Sequence, residues 1–172
     1  MDLELAVRSR RTHKVFGPEP VDRATLEELF ELARWAPNHH LTNPWRFSVL
    51  GPEARAALEE ASEAEKPGSA VKLRRAPTLV VLAALRDSDP SQDRDDLLAT
   101  AMAGYVVLLG AQARGLASYW RTLPVLATPA GRAAISLPED QEPVGLLHLG
   151  RPRQEQIVPE RAPLEDVVRY LA

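Results

Sequence analysis

The chain has 172 residues, 45% of them hydrophobic and 26% charged, which suits one domain, residues 1–172, with a sizeable core. Its net charge of −3 favours neither nucleic acid nor an anionic membrane surface, so a local basic cluster points to a discrete anion. With no cysteines there are no disulfides, no thiolate catalysis and no cysteine-ligated metal or iron–sulfur centre, and any redox chemistry needs a bound cofactor.

Residues 2–9 predict a short helix with Leu3, Ala6 and Val7 on one face and Arg10 and Arg11 at its C-terminal end. Its charges leave no signal-peptide hydrophobic region, and the expectation is a cytoplasmic protein. Gly17–Pro20 reads as a loop. Asp22 caps a second helix running to about Trp35, with Leu26, Leu29, Phe30 and Ala33 inward, and Pro37 ends it. Residues 46–50 predict a strand and 53–65 a helix closed by Pro67-Gly68. The apolar run 78–85 predicts a buried strand, followed by a polar, acidic loop over 86–96. Residues 97–114, apolar on nearly every side, predict a buried central helix ended by Gly115. Strands are expected at 117–121 and 143–150, a short helix at 128–135, and an extended tail over 151–162. A terminal helix over 163–171 would place Leu164, Val167, Val168 and Leu171 on one face. No apolar stretch reads as long enough to span a bilayer. The element mix is α+β: one mixed, mostly antiparallel sheet flanked by helices, around a buried central helix.

Three segments carry chemistry. Arg10-Arg11-Thr12-His13-Lys14 packs three positive charges and a hydroxyl into five residues, a donor set suited to phosphate, although cations are also favourable at any helix C-terminus. Trp35 to Phe47, containing Ala36-Pro37-Asn38-His39-His40 and Asn43-Pro44-Trp45-Arg46-Phe47, is a rigid turn with imidazoles and indoles able to edge an aromatic ring; Trp45 itself suits core packing. Trp120-Arg121-Thr122 follows a strand and adds a further cation. No glycine-rich nucleotide loop, EF-hand spacing or histidine metal pattern is present.

In this order and spacing the three segments resemble the nitroreductase family of flavin mononucleotide (FMN) enzymes, most closely its short members. The tail adds to the likeness through His148-Leu149-Gly150-Arg151-Pro152 and Arg161-Ala162-Pro163-Leu164-Glu165. Two departures stand out: Asn43 where the family pattern has Gln, and Trp35 where a short relative often carries Arg. The resemblance implies that Arg10, Arg11 and Thr12 hold the phosphate and ribityl end of FMN, and that Lys14 approaches the pyrimidine edge of the ring. It further implies that Trp35, His39, Trp120, Arg121 and Thr122 add flavin contacts, and that Arg161, ahead of Arg151, meets the phosphate. It implies a homodimer with FMN at the interface. NADH or NADPH would reduce the flavin, and a small electron-poor acceptor such as a nitroaromatic or quinone would reoxidise it. Two alternatives stand beside this one: a protein that binds or sequesters flavin with little turnover, and a non-flavin interaction module whose basic N-terminus meets an acidic partner.

Overall fold

The structure is a computed structural model and describes residues 1–171. Four strands form one sheet in the order β1-β2-β4-β3: β1 Trp45–Val49, β2 Thr78–Leu85, β3 Ala117–Arg121 and β4 Gln141–Gly150. The sequence predicts a mixed sheet, but all three pairings of these strands are antiparallel. The parallel element is the isolated bridge of Thr12 with Ser118, which docks the N-terminal segment beside β3.

Residues alternate across the sheet as strand geometry requires. Val80, Leu82, Leu147 and Leu149 face one core with Leu26, Leu29, Ala103, Val107 and Ala111. These helical residues come from α2 (Arg23–Ala33) and α4 (Pro90–Ala113). Leu79, Val81 and Leu146 face the other core with Phe16, Leu58, Leu73 and Leu126. This second core lies under α3 (Pro52–Glu65) and the 3-10 turns Ala70–Arg75 and Pro124–Ala127. Trp45 is buried in the first core, as expected.

α4 is the axis of the fold and begins earlier than its sequence suggests. Residues 90–96 are its first turns rather than part of an acidic loop. Asp89 caps them by accepting from the Ser91 amide at 2.8 Å, and Pro90 takes the first helical position, where its missing N–H costs nothing. With 24 residues, α4 is long and apolar enough, by length and composition alone, to cross a bilayer, contrary to the sequence expectation. Half of that stretch is buried between α2 and the sheet, and the polar Asp96 and Thr100 are buried within it, which marks a core helix.

The ends of the chain differ most from expectation. In α1 (Leu3–Ser9) only Ala6 is buried; Leu3 and Val7 are exposed. The predicted terminal helix reduces to one turn, α6 (Leu164–Val167), and every described residue from 157 onward is exposed. α5 (Pro129–Ala134) forms as expected, capped by Thr128, whose hydroxyl accepts from the Gly131 amide.

Candidate functional site

The N-terminal segment runs extended past the end of β3. The His13 amide donates to the Ser118 carbonyl at 3.0 Å, and Gly17 is tied to Arg151 by a 2.9 Å backbone bond. Successive residues of an extended segment point to opposite sides. Thr12 and Lys14 are exposed, whereas His13 is buried and Arg11 half-buried. Arg10, Thr12 and Lys14 therefore share one side. Arg11 turns away from them. One of its terminal amines donates to the carbonyls of Arg8 and Arg10, at 2.6 and 2.8 Å, and the residue lines a separate cleft with His13, Gln112 and Gln156. Burial, and then the Arg10 guanidinium, hold His13 below its usual pKa, so it adds no charge of its own at neutral pH.

β3 alternates in the same way. Arg121 and Tyr119 face the side of α3, with the Arg121 guanidinium 5.9 Å from the Tyr119 ring centroid, a cation–π arrangement. Arg121 projects into a cleft of about 340 Å³ lined also by Ser62, Glu65, Lys66, Ser69, Lys72 and Val125. Its Nε is buried without a hydrogen-bond partner. Sequence reasoning missed Lys72, Lys66 and Ser69. They come from the turns after α3, and no local motif signals that these fold back against β3.

Trp120 lies on the opposite side of β3, packed into the first core. Gly104 on α4 and Gly145 on β4 make its place: a Cβ on either glycine would overlap the indole. The ring expected to meet the flavin is thus held largely by packing. Thr122, one residue beyond β3, is exposed.

The Trp35–Asn43 segment sits elsewhere. Trp35 is 78% exposed. The following loop is strained: His40, Leu41 and Asn43 all have positive φ, at 55°, 54° and 49°. Non-glycine residues in this region cost about 1–3 kcal/mol each when held in sparsely populated backbone states, less for Asn. Local bonds hold the turn. Asn38 Oδ1 accepts from the Asn43 amide at 2.9 Å, and Asn43 Nδ2 donates to the Leu41 carbonyl at 2.7 Å. Asn43, replacing the family's Gln, is thereby used inside the loop. His39 lies against His40 with its ring tilted by 32° and is 3.4 Å from Asp95.

α4 separates the two groups of residues. His39 meets Asp95 near the helix's N-terminal end, whereas Ser9, next to Arg10, accepts from Gln112 near its C-terminal end. At 1.5 Å per residue these anchors are about 25 Å apart. One protomer therefore docks the Arg10–Lys14 segment beside β3 through the Thr12–Ser118 bridge, Trp120 packs at Gly104 midway along α4, and His39 lies at the helix's far end. Arg161 lies exposed on the tail, and Arg151 lines a different cleft, beside Asp22 and Arg114.

The charges of the first group are uncommitted. Arg8, Arg23, Arg34, Arg55, Arg74, Arg86 and Arg114 each pair with a carboxylate. Among the described residues Arg10, Lys14, Lys66, Lys72 and Arg121 have no such partner, as is also true of nine other arginines dispersed over the chain; what sets these five apart is that they lie on or beside β3. Nearby, His148 on β4 is fully buried, with neither ring nitrogen hydrogen-bonded. Burial, and then the guanidinium charges of Arg121, Arg55 and Arg75, push it down to about 3. Arg121, Lys66 and Lys72 share one cleft on the α3 side of this antiparallel sheet, and the Arg10–Lys14 segment is docked beside the same strand of the α+β fold.

Comparison with known proteins places that architecture. The model of the nitroreductase family matches residues 7–151, and the chain belongs to that family. YfhC of Bacillus subtilis (strain 168), provisionally named an NAD(P)H nitroreductase, is 27% identical over 173 residues, covering 93% of this chain and 89% of its own. The fold is shared with a nitroreductase-like family protein from Bacillus cereus, at TM-score 0.89 and 24% identity over 99% of this chain and 96% of that one. It is shared equally with the FMN- and NADPH-dependent nitroreductase NfnB from Sphigopyxis sp. strain HMH, at TM-score 0.84 and 21% identity over the whole of both chains.

Proposed function

We propose that residues 1–172 form one FMN-binding domain of an NAD(P)H-dependent oxidoreductase that reduces nitroaromatics, quinones or similar electron-poor acceptors. The observation that carries this reading is the set of uncommitted cations. Arg121, with its orphaned Nε, shares a cleft with Lys66, Lys72 and Ser69 and is joined to Arg10, Thr12 and Lys14 through the Thr12–Ser118 bridge. These residues fit FMN, whose phosphate is an anion and whose ring edge carries acceptor oxygens. NfnB, of the same fold, is FMN- and NADPH-dependent.

FMN held by these residues would supply hydride transfer between the nicotinamide and the acceptor. The chain's own part is binding and electrostatics. Arg10 and Thr12 hold the phosphate and ribityl end. Arg121, Lys14 and Lys72 set positive charge beside the ring edge, which favours its reduced, negatively charged form and raises the reduction potential. Arg161 adds to the phosphate contact from the tail. Arg11, turned away from Arg10, supports the segment's backbone instead of gripping the ligand. Thr122 presents its hydroxyl at the end of β3, and Trp120 fixes that end in place.

The molecule works as a homodimer with FMN at the interface. His39 lies about 25 Å along α4 from Ser9 and Arg10, and a second subunit would bring it to the flavin. Leu98, Met102 and Tyr105 form an exposed apolar stripe on α4, and the tail exposes Ile157, Val158, Leu164, Val167 and Leu171. Such surfaces mark association. Arg10→Ala should weaken FMN binding by about 1–3 kcal/mol, the range for one charge-assisted bond. Fluorescence titration of apoprotein checks this, and unchanged affinity would remove Arg10 from the phosphate site.

A further inference from the structure

The strained loop is tied to the body of the protein by a buried carboxylate. Asp96 is 3% exposed and sits in the second turn of α4. Its Oδ1 accepts from Thr42 Oγ1 at 2.5 Å and from Gln92 Nε2 at 2.9 Å. Thr42 lies between Leu41 and Asn43, both at positive φ, and its amide also closes back on the His39 carbonyl. The other bonds of the turn are local: a longer 3.4 Å contact from the Thr42 hydroxyl to the His39 carbonyl, bonds between Asn38, Leu41 and Asn43, and one from Arg46 to the Asn43 carbonyl. The His39–Asp95 contact is largely exposed and correspondingly weak. A backbone held in an unfavourable region persists only while its surroundings over-determine it. Here the buried tether from α4 does so.

We infer that Asp96 is a positioning residue that, through Thr42, holds the 38–43 loop in the shape that presents His39 to the flavin. The inference rests on the flavin reading above for its functional half; the tether itself stands on the geometry. It reaches beyond the residues that touch a ligand, because Asp96 is buried and acts only through Thr42. A buried carboxylate serves this role better than a neutral acceptor. Its bond to a hydroxyl is charge-assisted, and its burial excludes competing water. Gln92, one turn earlier on the same helix, donates to the same oxygen and fixes it further.

The test compares wild type with Thr42→Val, which removes the donor at nearly constant volume, and Thr42→Ser, which keeps it. Asp96→Ala is made alongside; should it fail to fold, Thr42→Val breaks the same bond from the loop side. Amide hydrogen exchange of residues 39–43 in apoprotein reads the tether without any flavin. Added FMN, followed by fluorescence, reads its consequence. The expected result is exchange about tenfold faster at 39–43, and FMN affinity about tenfold weaker, in Thr42→Val, with Thr42→Ser near wild type and the melting temperatures of all three close. Unchanged exchange in Thr42→Val would overturn the tether. Faster exchange with unchanged FMN affinity would overturn the positioning role. Failure of the flavin reading has its own signature: wild type itself binds no FMN.

Discussion

Among the described residues His148 is the most heavily perturbed group, and its position makes stability depend on acid. The unfolded chain protonates it near its ordinary value of 6.5, whereas the folded protein holds it neutral down to about 3. Between those values the unfolded state binds the extra proton. Stability should therefore fall by about 1.4 kcal/mol for each pH unit of acidification across that window, with no contribution from this residue above it. His13, also lowered by burial, acts in the same direction. His148→Leu removes the cause together with two unpartnered nitrogens. It should be at least as stable as wild type at neutral pH and show a flatter decline in thermal melts taken between about pH 7 and about pH 4. An equally steep decline would place the acid sensitivity elsewhere. None of this was legible in the sequence, where His148 is one of four histidines without a metal pattern. Its neighbours Tyr119 and Phe16 reach it only through strand pairing and the chain's return at Gly17. The basic cluster was legible as a cluster. The opposed directions of Arg10 and Arg11 were not, because they follow from where β3 pins Thr12.

α4 and β3 together decide what the site can present. The close approach of helix to sheet at Trp120 requires glycine at both 104 and 145. Gly104→Ala should destabilise the protein by about 1–3 kcal/mol, the usual cost of overpacking, despite alanine's better helix propensity. Combining it with Trp120→Leu should recover part of that loss in urea denaturation. An additive loss would show that the indole is not what the new methyl meets. Strands β2 and β4 were legible because their apolar runs are buried by packing on both faces, and β3 from its neighbours and aromatics. The first turns of α4 were not. Asp93, Arg94, Asp95 and Asp96 read as loop, yet Asp93 pairs with Arg86 and Asp96 is taken up by Thr42, partners that exist only in the fold. The opposite error fell on residues 163–171. Their helical spacing is real, but the protomer offers that face nothing to bury against, and a short helix without tertiary packing does not persist.

At the scale of the whole molecule, the proposed flavin site spans two protomers. Ser9, next to Arg10, meets one end of α4 and His39 the other, while Leu98, Met102 and Tyr105, at helical i, i+4, i+7 spacing, remain exposed between them. Met102→Glu should shift the protein from dimer to monomer in analytical ultracentrifugation and weaken FMN binding with it. Flavin binding retained by a monomer would mean that one protomer suffices. The account's central claim is tested most directly by the visible absorbance spectrum of the protein after incubation with FMN and desalting, recorded anaerobically before and after NADH or NADPH. Retained yellow colour that bleaches with one of the two donors and returns on adding a nitroaromatic is the predicted result. Protein that emerges colourless, or colour that neither donor bleaches, would contradict it.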